Sequence, residues 1–265
     1  MEAKPRFHLV AEAAAVVVVV VMGWSARPCE ASLYQPPPPA MAYHDGAVLE
    51  GAVPVSVLYY GAFPPHHRAV VADFLMSLSP RWRDQRHSFG APGPAPPPTV
   101  ASACGVHGSS APGGAVHVWV GDASAQCPGR CAWPFHAADG FAYGDAGSAS
   151  ARRGDHGHAR ADVALRAPNG DAGVDGMVIN LAALMAGAVT NPYGRGYFQG
   201  DAAAPVEVAG ACPGVYGRGA YPGYPGAVRV DAATGAGYNV VGRNGRRYLV
   251  PALVDPDNYS CLIMT

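Results

Sequence analysis

The chain has 265 residues, including 34 Gly and 26 Pro, with a formal net charge of -1 and a charged fraction of 14%. Soluble domains usually carry about 25% charged residues, so the sequence offers no cationic excess with which to bind nucleic acid. The apolar share of 49% suffices for a hydrophobic core, and the length fits one domain or two. Frequent Gly and Pro predict short elements joined by tight turns.

Residues 1–31 have the three-part build of a secretory signal peptide. A weakly basic start precedes the apolar run at 13–22, and residues 29–31 place small side chains where a signal peptidase cleaves. The apolar run is about half as long as a membrane span requires, and an uncleaved anchor is the alternative. We therefore expect a secreted, soluble protein that begins near Ser32 and has no membrane span.

Secretion decides how the cysteines are interpreted, because an oxidising compartment favours disulfides over metal thiolates. Cys29 leaves with the signal peptide, and the disulfide candidates are Cys104, Cys127, Cys131, Cys212 and Cys261. Five is an odd number, so one thiol is unpaired or pairs outside the chain. The intervening Pro-Gly of the CxxxC string at 127–131 indicates a turn, and its spacing is not that of a zinc ribbon or a thioredoxin site.

The first half of the mature chain contains two predicted strands and one predicted helix. After a Pro-rich, extended lead-in at 32–42, the alternating residues 53–60 predict a strand. Pro64 and Pro65 open a helix that ends before Ser79-Pro80. Residues 90–98 have the composition of a linker, and the alternating valines of 116–120 predict the second strand.

The second half begins with residues 137–168, which show no period and are interpreted as a loop or a disordered insert. Asp175 is the predicted N-cap of a buried helix over 177–189, which Thr190-Asn191-Pro192 ends. A short strand is predicted at 228–230. A hairpin follows over 238–250, with a type I′ turn at Asn244-Gly245. Strand followed by helix predicts an α+β or α/β fold: a single mixed-sheet domain with Gly/Pro-rich loops and disulfides.

No motif predicts a cofactor or a metal site. GxSxG, GxxxxGK[ST], GxGxxG and HExxH are all absent from the sequence. The residues that offer metal-ligating groups are His107, His136, Asp139, His156 and His158, but the HxH pair lies in the unpatterned insert and is better explained as solvated loop. The Arg-Gly-Asp at 153–155 is interpreted as a chance match. Residues 169–176 do not fit the calcium-loop pattern, and Asn258 begins a glycosylation sequon.

Several strings together resemble the exordium family of plants, also called the phosphate-induced protein family. They are YHDG at 43–46, YYG at 59–61, FLMSLS at 74–79, CGVHG at 104–108, WVGDASAQCPGRCAWPFH at 119–136, PNGDAGVDGMVINLAALMAGAVTNPYGRGYFQG at 168–200, ACPGVYGRGAYPGY at 211–224 and NGRRYLVPALVDP at 244–256. The resemblance covers most of residues 43–265, and the CPGxCAWPF and DGMVINLA strings are its most specific parts.

The resemblance implies a secreted protein of the cell wall or apoplast that regulates cell expansion, linked to brassinosteroid and to carbon or phosphate status. It carries over no catalytic residues. The chain departs from the family as a divergent or truncated member: residues 90–98 replace a longer segment, residues 137–168 are longer than usual, and Val100 stands where relatives have a cysteine. The resemblance thereby implies that one cysteine of this chain lacks its partner.

One layout is stated as a hypothesis about the scaffold. The helix around residues 178–184 and the following Thr-Asn-Pro resemble the active-site helix of zincin metallopeptidases, with Asn180 and Leu184 at the two histidine positions and Leu181 at the glutamate. Such residues cannot bind zinc or act as a base, so the hypothesis is a zincin-like scaffold without a metal site. A plain buried helix is the alternative.

The leading functional prediction is a non-enzymatic wall protein that binds polysaccharide or an extracellular protein. The aromatic side chains offered for this surface are Tyr193, Tyr197, Phe198, Tyr216, Tyr221 and Tyr224, with filling of a core as the alternative. The second prediction is a hydrolase of wall polymers or peptides. Its acid or base groups would be His107, His136 and Asp175, provided that they share one pocket.

Overall fold

A computed structural model describes residues 40–78, 104–136 and 164–264. The predicted signal peptide, the 90–98 linker, Val100, Asp139, the Arg-Gly-Asp tripeptide and the HxH pair lie outside the described residues. The helices are α1 (Pro65–Ser77), α2 (Pro128–Cys131) and α3 (Ala172–Thr190). The strands are β1 (Ala42–Tyr43), β2 (Gly105–Ser109), β3 (Val116–Val120), β4 (Tyr197–Phe198), β5 (Arg229–Val230), β6 (Gly237–Tyr238), β7 (Val240–Val241), β8 (Arg247–Tyr248), β9 (Leu253–Asp255) and β10 (Ser260–Leu262).

The central element is α3, a 19-residue helix that is apolar around most of its circumference. It starts earlier than predicted: Asp171, not Asp175, is the N-cap, and its side chain accepts hydrogen bonds from the N–H groups of Gly173 and Val174. Asp175 lies inside the first turn, so its prediction as the cap was wrong. The predicted end is confirmed, because Asn191 is the C-cap.

By length and composition alone, α3 is also long and apolar enough to cross a bilayer. Its most apolar window has a mean hydropathy of 1.6, and half of that window is buried inside the protein. The first turn carries the buried Asp175. Burial against the rest of the chain is what a core helix of a folded domain requires, and it accounts for the apolar composition of α3.

The β2–β3 hairpin packs on α3, in register from Gly105 opposite Val120 to Ser109 opposite Val116. The predicted strand at 116–120 is confirmed. Position 105 requires glycine, because a Cβ there would lie 2.5 Å from the Leu184 side chain of α3. The glycine therefore allows the backbone of β2 to approach the helix closely.

The predicted helix after Pro64 is confirmed as α1, which packs against α3. Phe74 of α1 meets Tyr248 edge-on, with 5.4 Å between ring centroids. The main core cluster joins these two helices to the α2 region and to β8. Its buried members are Val70, Val71, Phe74, Leu75, Ala123, Cys131, Ala132, Val174, Met177, Val178, Tyr248 and Val250.

The strand predicted over residues 53–60 was wrong, since that segment forms no ladder within the described residues. Val53, Val55 and Leu58 are between 41% and 47% exposed, and Val57 alone of the alternating apolar residues packs against the main core cluster. Pro54 also lacks the N–H that a ladder needs. Period-two alternation indicates a strand only where a partner strand is available to pair with it.

The strands form five separate two-stranded antiparallel sheets within the described residues. The mixture of helices with antiparallel strands fits the α+β alternative, while the prediction of a single mixed sheet was wrong. Eight of the ten described strands contain two or three residues, since frequent Gly and Pro weaken and end strands. The core is consequently closed by loops and disulfides as much as by sheets.

The predicted hairpin is present as β7 and β8, but its turn is not type I′. Such a turn requires a positive φ at both central residues, and only Gly245 has one, at 73°. Gly242 and Arg246 face each other across a three-residue loop, and the N–H of Gly245 donates to the carbonyl of Gly242. Glycine at the last loop position is what this longer hairpin type requires.

Two disulfides pair four of the five candidate cysteines. Cys104 bonds to Cys131, which ties the start of β2 to α2, and Cys212 bonds to Cys261, which ties a loop to β10. Cys127 is exposed and is the one free cysteine within the described residues. Cys127 is therefore the one of the five candidate cysteines that has no disulfide partner among the described residues.

Two segments expected to lie outside the fold contribute to it at their described ends. Met41, from the lead-in, is 6% exposed and packs in a second cluster with Cys212 and Val254. Leu165, from the end of the predicted insert, packs on a third cluster, and its N–H donates to the carbonyl of Pro134. Apolar side chains at the edges of low-complexity sequence are therefore part of the core.

Candidate functional site

A buried carboxylate lies at the start of α3. Asp175 is 2% exposed, and both of its oxygens accept hydrogen bonds from Asn169. The backbone N–H of Asn169 donates to Oδ2 at 2.8 Å, and its side-chain Nδ2 donates to Oδ1 at 2.6 Å. The turn before the helix thus folds back over this carboxyl group.

Burial raises the pKa of Asp175 to about 6, because removal from water disfavours the charged form. The two hydrogen bonds from Asn169 and the Arg246 charge oppose that effect, and the nearby Asp171 adds to it. A carboxyl group of this kind is a candidate acid by its pKa. Its lack of exposure and its two occupied oxygens leave no path for a substrate, which indicates a structural role.

A polar network extends from this carboxyl group to the surface. The Asn169 side-chain oxygen accepts from Nη1 of Arg246 at 2.9 Å, and Nε of Arg246 donates to Oδ2 of Asp73 at 2.8 Å. Asn244 donates to the other oxygen of Asp73 at 3.0 Å. These residues line an open cleft of about 300 Å³. The network joins α1, the start of α3 and the β7–β8 loop at one end of the core.

Beside this network, the N-cap residue Asp171 faces the first turn of α1. Its Oδ2 lies 2.9 Å from Nε2 of His67. Partial burial works against ionisation, but the hydrogen bonds from His67, Val174 and Gly173 outweigh it and hold the pKa of Asp171 below its usual range. His66 lies beside this pair and adds a third potential metal-ligating side chain.

The three hydrolase candidates do not share a pocket. His107 lies on β2 beside Gly187 of α3: its Nε2 is 2.8 Å from the position that a Cβ on Gly187 would occupy. Gly187 is twelve residues along α3 from Asp175, which corresponds to about 18 Å of helix. His136 is exposed after α2. The structure therefore does not assemble an acid and a base from these residues.

His107 instead forms a partly buried contact with Glu207. Its Nε2 lies 2.6 Å from Oε2 of Glu207, and the other oxygen of Glu207 accepts from Nδ2 of Asn191 at 2.7 Å. Nδ1 of His107 is buried and has no hydrogen-bond partner within the described residues. Gly187 provides the space for this group, which connects β2, the end of α3 and the 206–208 segment.

Tyr221 and Tyr224 are brought together at the tip of a loop. The N–H of each donates to the carbonyl of the other, at 3.1 and 2.8 Å. Pro222 and Gly223 form the turn between them, with φ of 88° at Gly223, as a type II turn requires. The ring centroids lie 5.0 Å apart at an angle of 38°, and Tyr221 is 52% exposed. The loop exposes the Tyr221 ring to solvent, with the partly buried Tyr224 ring beside it.

The other aromatic candidates do not join this pair. Tyr216 is 5% exposed and packs in the core with Phe135 and Leu249, and Phe198 is 2% exposed. The hydroxyl of Tyr193 donates to the carbonyl of Gly114 at 3.1 Å. Tyr197 pairs with Tyr43 across β1 and β4, with ring centroids 4.9 Å apart. For Tyr216 and Phe198 the core-filling alternative holds.

The helix positions of the zincin-like layout make packing contacts. Nδ2 of Asn180 donates to the carbonyl of Cys131 at 2.8 Å, Leu181 packs against the main core, and Leu184 lies under Gly105. These contacts are equally compatible with a plain core helix. The zincin-like scaffold therefore stays a hypothesis.

The residues that complete these clusters were not among the predicted site residues. Asn169, Arg246 and Glu207 are ordinary polar residues, and the contacts of Arg246 with Asn169 and of Glu207 with His107 join residues far apart in the chain. The available signal was that PNGD at 168–171 and NGRR at 244–247 both belong to the family-like strings. The His66-His67 dipeptide was equally visible, but Asp171 lies 104 residues from His67.

The family model described as the phosphate-induced protein 1 conserved region matches residues 41–92 and 99–264. Protein PHOSPHATE-INDUCED 1 of Nicotiana tabacum is 35% identical, over 96% of this chain and 97% of the relative. Protein EXORDIUM of Arabidopsis thaliana is 36% identical, over 84% and 89%. Protein EXORDIUM-like 1 of the same plant is 38% identical, over 83% and 88%. No solved structure matches the chain.

Proposed function

Because the chain belongs to the phosphate-induced protein 1 family and is similar to Protein EXORDIUM, we propose that it is a secreted cell-wall protein that binds wall polysaccharide. Its role is to regulate cell expansion, in connection with brassinosteroid and nutrient status, as the resemblance implies. The protein acts by binding and not by catalysis. The Tyr221–Tyr224 pair is the observation that carries the binding proposal.

Secretion is supported by the disulfides and the N-terminal segment. Two cystines in a chain with five candidate cysteines fit an oxidising compartment. The apolar run and small residues before Ser32 fit an export signal. Cell wall and apoplast are the compartments in which a secreted plant protein of this family would act.

Sugar binding is supported by the geometry of the Tyr-Pro-Gly-Tyr loop. Aromatic rings suit the apolar faces of sugar rings, and a tyrosine also offers a hydroxyl for hydrogen bonding. Pro222 and Gly223 fix the turn, so presenting the two rings costs little conformational entropy on binding. The low net charge of -1 favours a neutral polysaccharide over a highly charged one.

We expect the double variant Tyr221→Ala/Tyr224→Ala to lose at least about tenfold in affinity for wall oligosaccharides, which corresponds to about 1.4 kcal/mol, because aromatic residues covered by a ligand are often binding hot spots. A glycan array followed by titration of the best binder measures this loss. The fold should persist, because the loop tip lies outside the three core clusters.

Tyr259→Ala is the matched control, because Tyr259 is 49% exposed and lies in a turn near the C-terminus. It should bind like the parent protein. Equal binding by the parent and the Tyr221→Ala/Tyr224→Ala variant, or no bound wall glycan at all, contradicts the proposed function.

Asn258 is proposed as a glycosylation site, which would record passage through the secretory pathway. The side chain is exposed in the turn between β9 and β10, where its Nδ2 donates to Asp255 at 2.8 Å. Protein secreted from plant cells should lose mass on treatment with an N-glycan-cleaving enzyme. Asn258→Gln should migrate like the treated protein, and an identical shift in that variant would assign the glycan elsewhere.

A further inference from the structure

Three metal-ligating side chains converge where the first turn of α1 meets the N-cap of α3. His66, His67 and Asp171 each offer one ligand atom, and the three atoms lie within 4.8 Å of one another. Among the residues that the structure describes, this is the one such group of His, Cys, Asp or Glu side chains. It coincides with none of the metal candidates taken from the sequence.

Two of the three groups are already held in place. Oδ1 of Asp171 is occupied by the N–H groups of Gly173 and Val174, at 2.7 and 3.2 Å. Its Oδ2 is therefore directed away from the helix end and toward Nε2 of His67, at 2.9 Å. The side chains of His67 and Asp171 are 19% and 37% exposed, so packing restricts both while solvent still reaches them.

His66 supplies the adjustable third group. Its ring meets that of His67 edge-on, with centroids 4.3 Å apart and 74° between the planes, and it is exposed. Zinc binds imidazole nitrogen at about 2.0–2.1 Å, which places neighbouring ligands of a tetrahedral ion about 3.3 Å apart. Rotation of the exposed His66 side chain is thus the main change needed to bring the three atoms to that spacing.

We propose that His66, His67 and Asp171 form a binding site for a divalent zinc ion. Imidazole nitrogens with one carboxylate oxygen suit zinc better than magnesium or calcium, which prefer oxygen ligands. Three protein ligands leave a fourth position for water, and the exposed side of the cluster admits it. The site goes beyond polysaccharide binding and does not depend on it.

Zinc binding moves the ring proton of His67 from Nε2 to Nδ1 and involves no oxidation or reduction. In the metal-free arrangement an Nε2–H of His67 donates to Asp171. The zinc ion takes the Nε2 lone pair, so the ring carries its proton on Nδ1 in the neutral form. Oδ2 of Asp171 changes from hydrogen-bond acceptor to metal ligand, while Oδ1 continues to cap α3.

A bound ion would join α1 to α3 at the end where the polar network also lies. Any ligand that binds the folded chain alone stabilises it by mass action, in proportion to the logarithm of the free ligand concentration. Zinc is therefore expected to raise the melting temperature as well as to bind. This second readout is independent of any sugar-binding activity.

The test is calorimetric titration of zinc chloride into the full secreted chain after metal removal by a chelator. The expected result is one equivalent bound at the site, with a higher melting temperature in zinc and no change in magnesium. His66→Gln and Asp171→Asn should each weaken binding by at least about tenfold, the lower bound seen even for second-shell partners. Asn caps a helix as well as Asp, so Asp171→Asn keeps the fold while removing the carboxylate.

Control variants separate this site from other histidines. His117→Gln, on the β2–β3 hairpin, and the double variant His156→Gln/His158→Gln should bind zinc as the parent does. Zinc affinity and thermal shift that persist in both His66→Gln and Asp171→Asn would overturn the proposal. So would the absence of stoichiometric binding by the parent chain.

Discussion

Replacing Cys212 and Cys261 together by alanine is expected to lower the free energy of unfolding by about 4 kcal/mol. The bond closes a loop with a sequence separation of 49 residues, and a cross-link over that length removes chain entropy of this size from the unfolded state. Cys212 is 1% exposed within the cluster that also contains Met41 and Val254. Chemical denaturation of parent and variant measures the difference.

The second disulfide provides a graded comparison. The Cys104–Cys131 bond spans 27 residues, so its removal should cost slightly less, about 3.5 kcal/mol. Cys127→Ala is the matched control because Cys127 is exposed and free, and it should leave stability within about 0.5 kcal/mol of the parent. A larger loss from Cys127→Ala than from Cys212→Ala/Cys261→Ala would contradict the assigned pairing.

Stability is expected to depend on pH through Asp175. Its pKa in the folded chain is raised from 3.8 to about 6, so the folded state binds a proton that the unfolded state has already released. The resulting stabilisation is fully present below about pH 3.8 and is lost as the pH rises through about 6, a change of about 3 kcal/mol. The carboxyl group of Asp175 thus opposes folding at neutral pH relative to acid.

The measurement compares unfolding of the parent with that of Asp175→Asn between pH 4 and pH 7.5. The asparagine cannot ionise, so the parent should lose about 2–3 kcal/mol relative to the variant as the pH rises. Asp257→Asn, at an exposed position near β10, should follow the parent at every pH. A constant difference between the parent and Asp175→Asn would show that burial does not shift this carboxyl group.

The sequence was informative where a local pattern and local packing agree. Pro65 and the spaced apolar residues of α1 are read directly from the chain, as are the long apolar run of α3 and its end at Asn191. The valines of β3 were found from their alternation, which is matched by a real ladder because the unpredicted partner strand β2 is adjacent in sequence. Each of these elements has its partner or its terminating signal within a few residues.

Elements whose partners are distant were missed or misassigned. Residues 53–60 alternate like a strand but lack a ladder partner, and alternation cannot reveal that. Asp175 follows the pattern of a cap, yet Asp171 caps α3. The buried carboxyl group of Asp175 instead accepts hydrogen bonds from Asn169, which Arg246 contacts from 77 residues further along the chain. Side-chain networks across such separations are decided by packing.

Among the Tyr candidates, composition could not separate core from surface. Tyr216 and Tyr221 lie in the same Gly-rich string, but one fills the core and the other projects from a type II turn. The turn itself was readable as Pro-Gly between two tyrosines. Exposure is decided by how the chain returns to the core after the turn, which no local pattern encodes.

The most direct test of the account is where the full chain goes when plant cells express it. The protein should be recovered from the cell-wall fraction with its N-terminus near Ser32, and Tyr221→Ala/Tyr224→Ala should shift from that fraction into the soluble apoplastic wash. Tyr259→Ala should remain with the wall. Recovery of the chain inside cells with Met1 intact, or equal wall retention of the double variant and the parent, would contradict a secreted protein that binds wall polysaccharide through its Tyr221–Tyr224 loop.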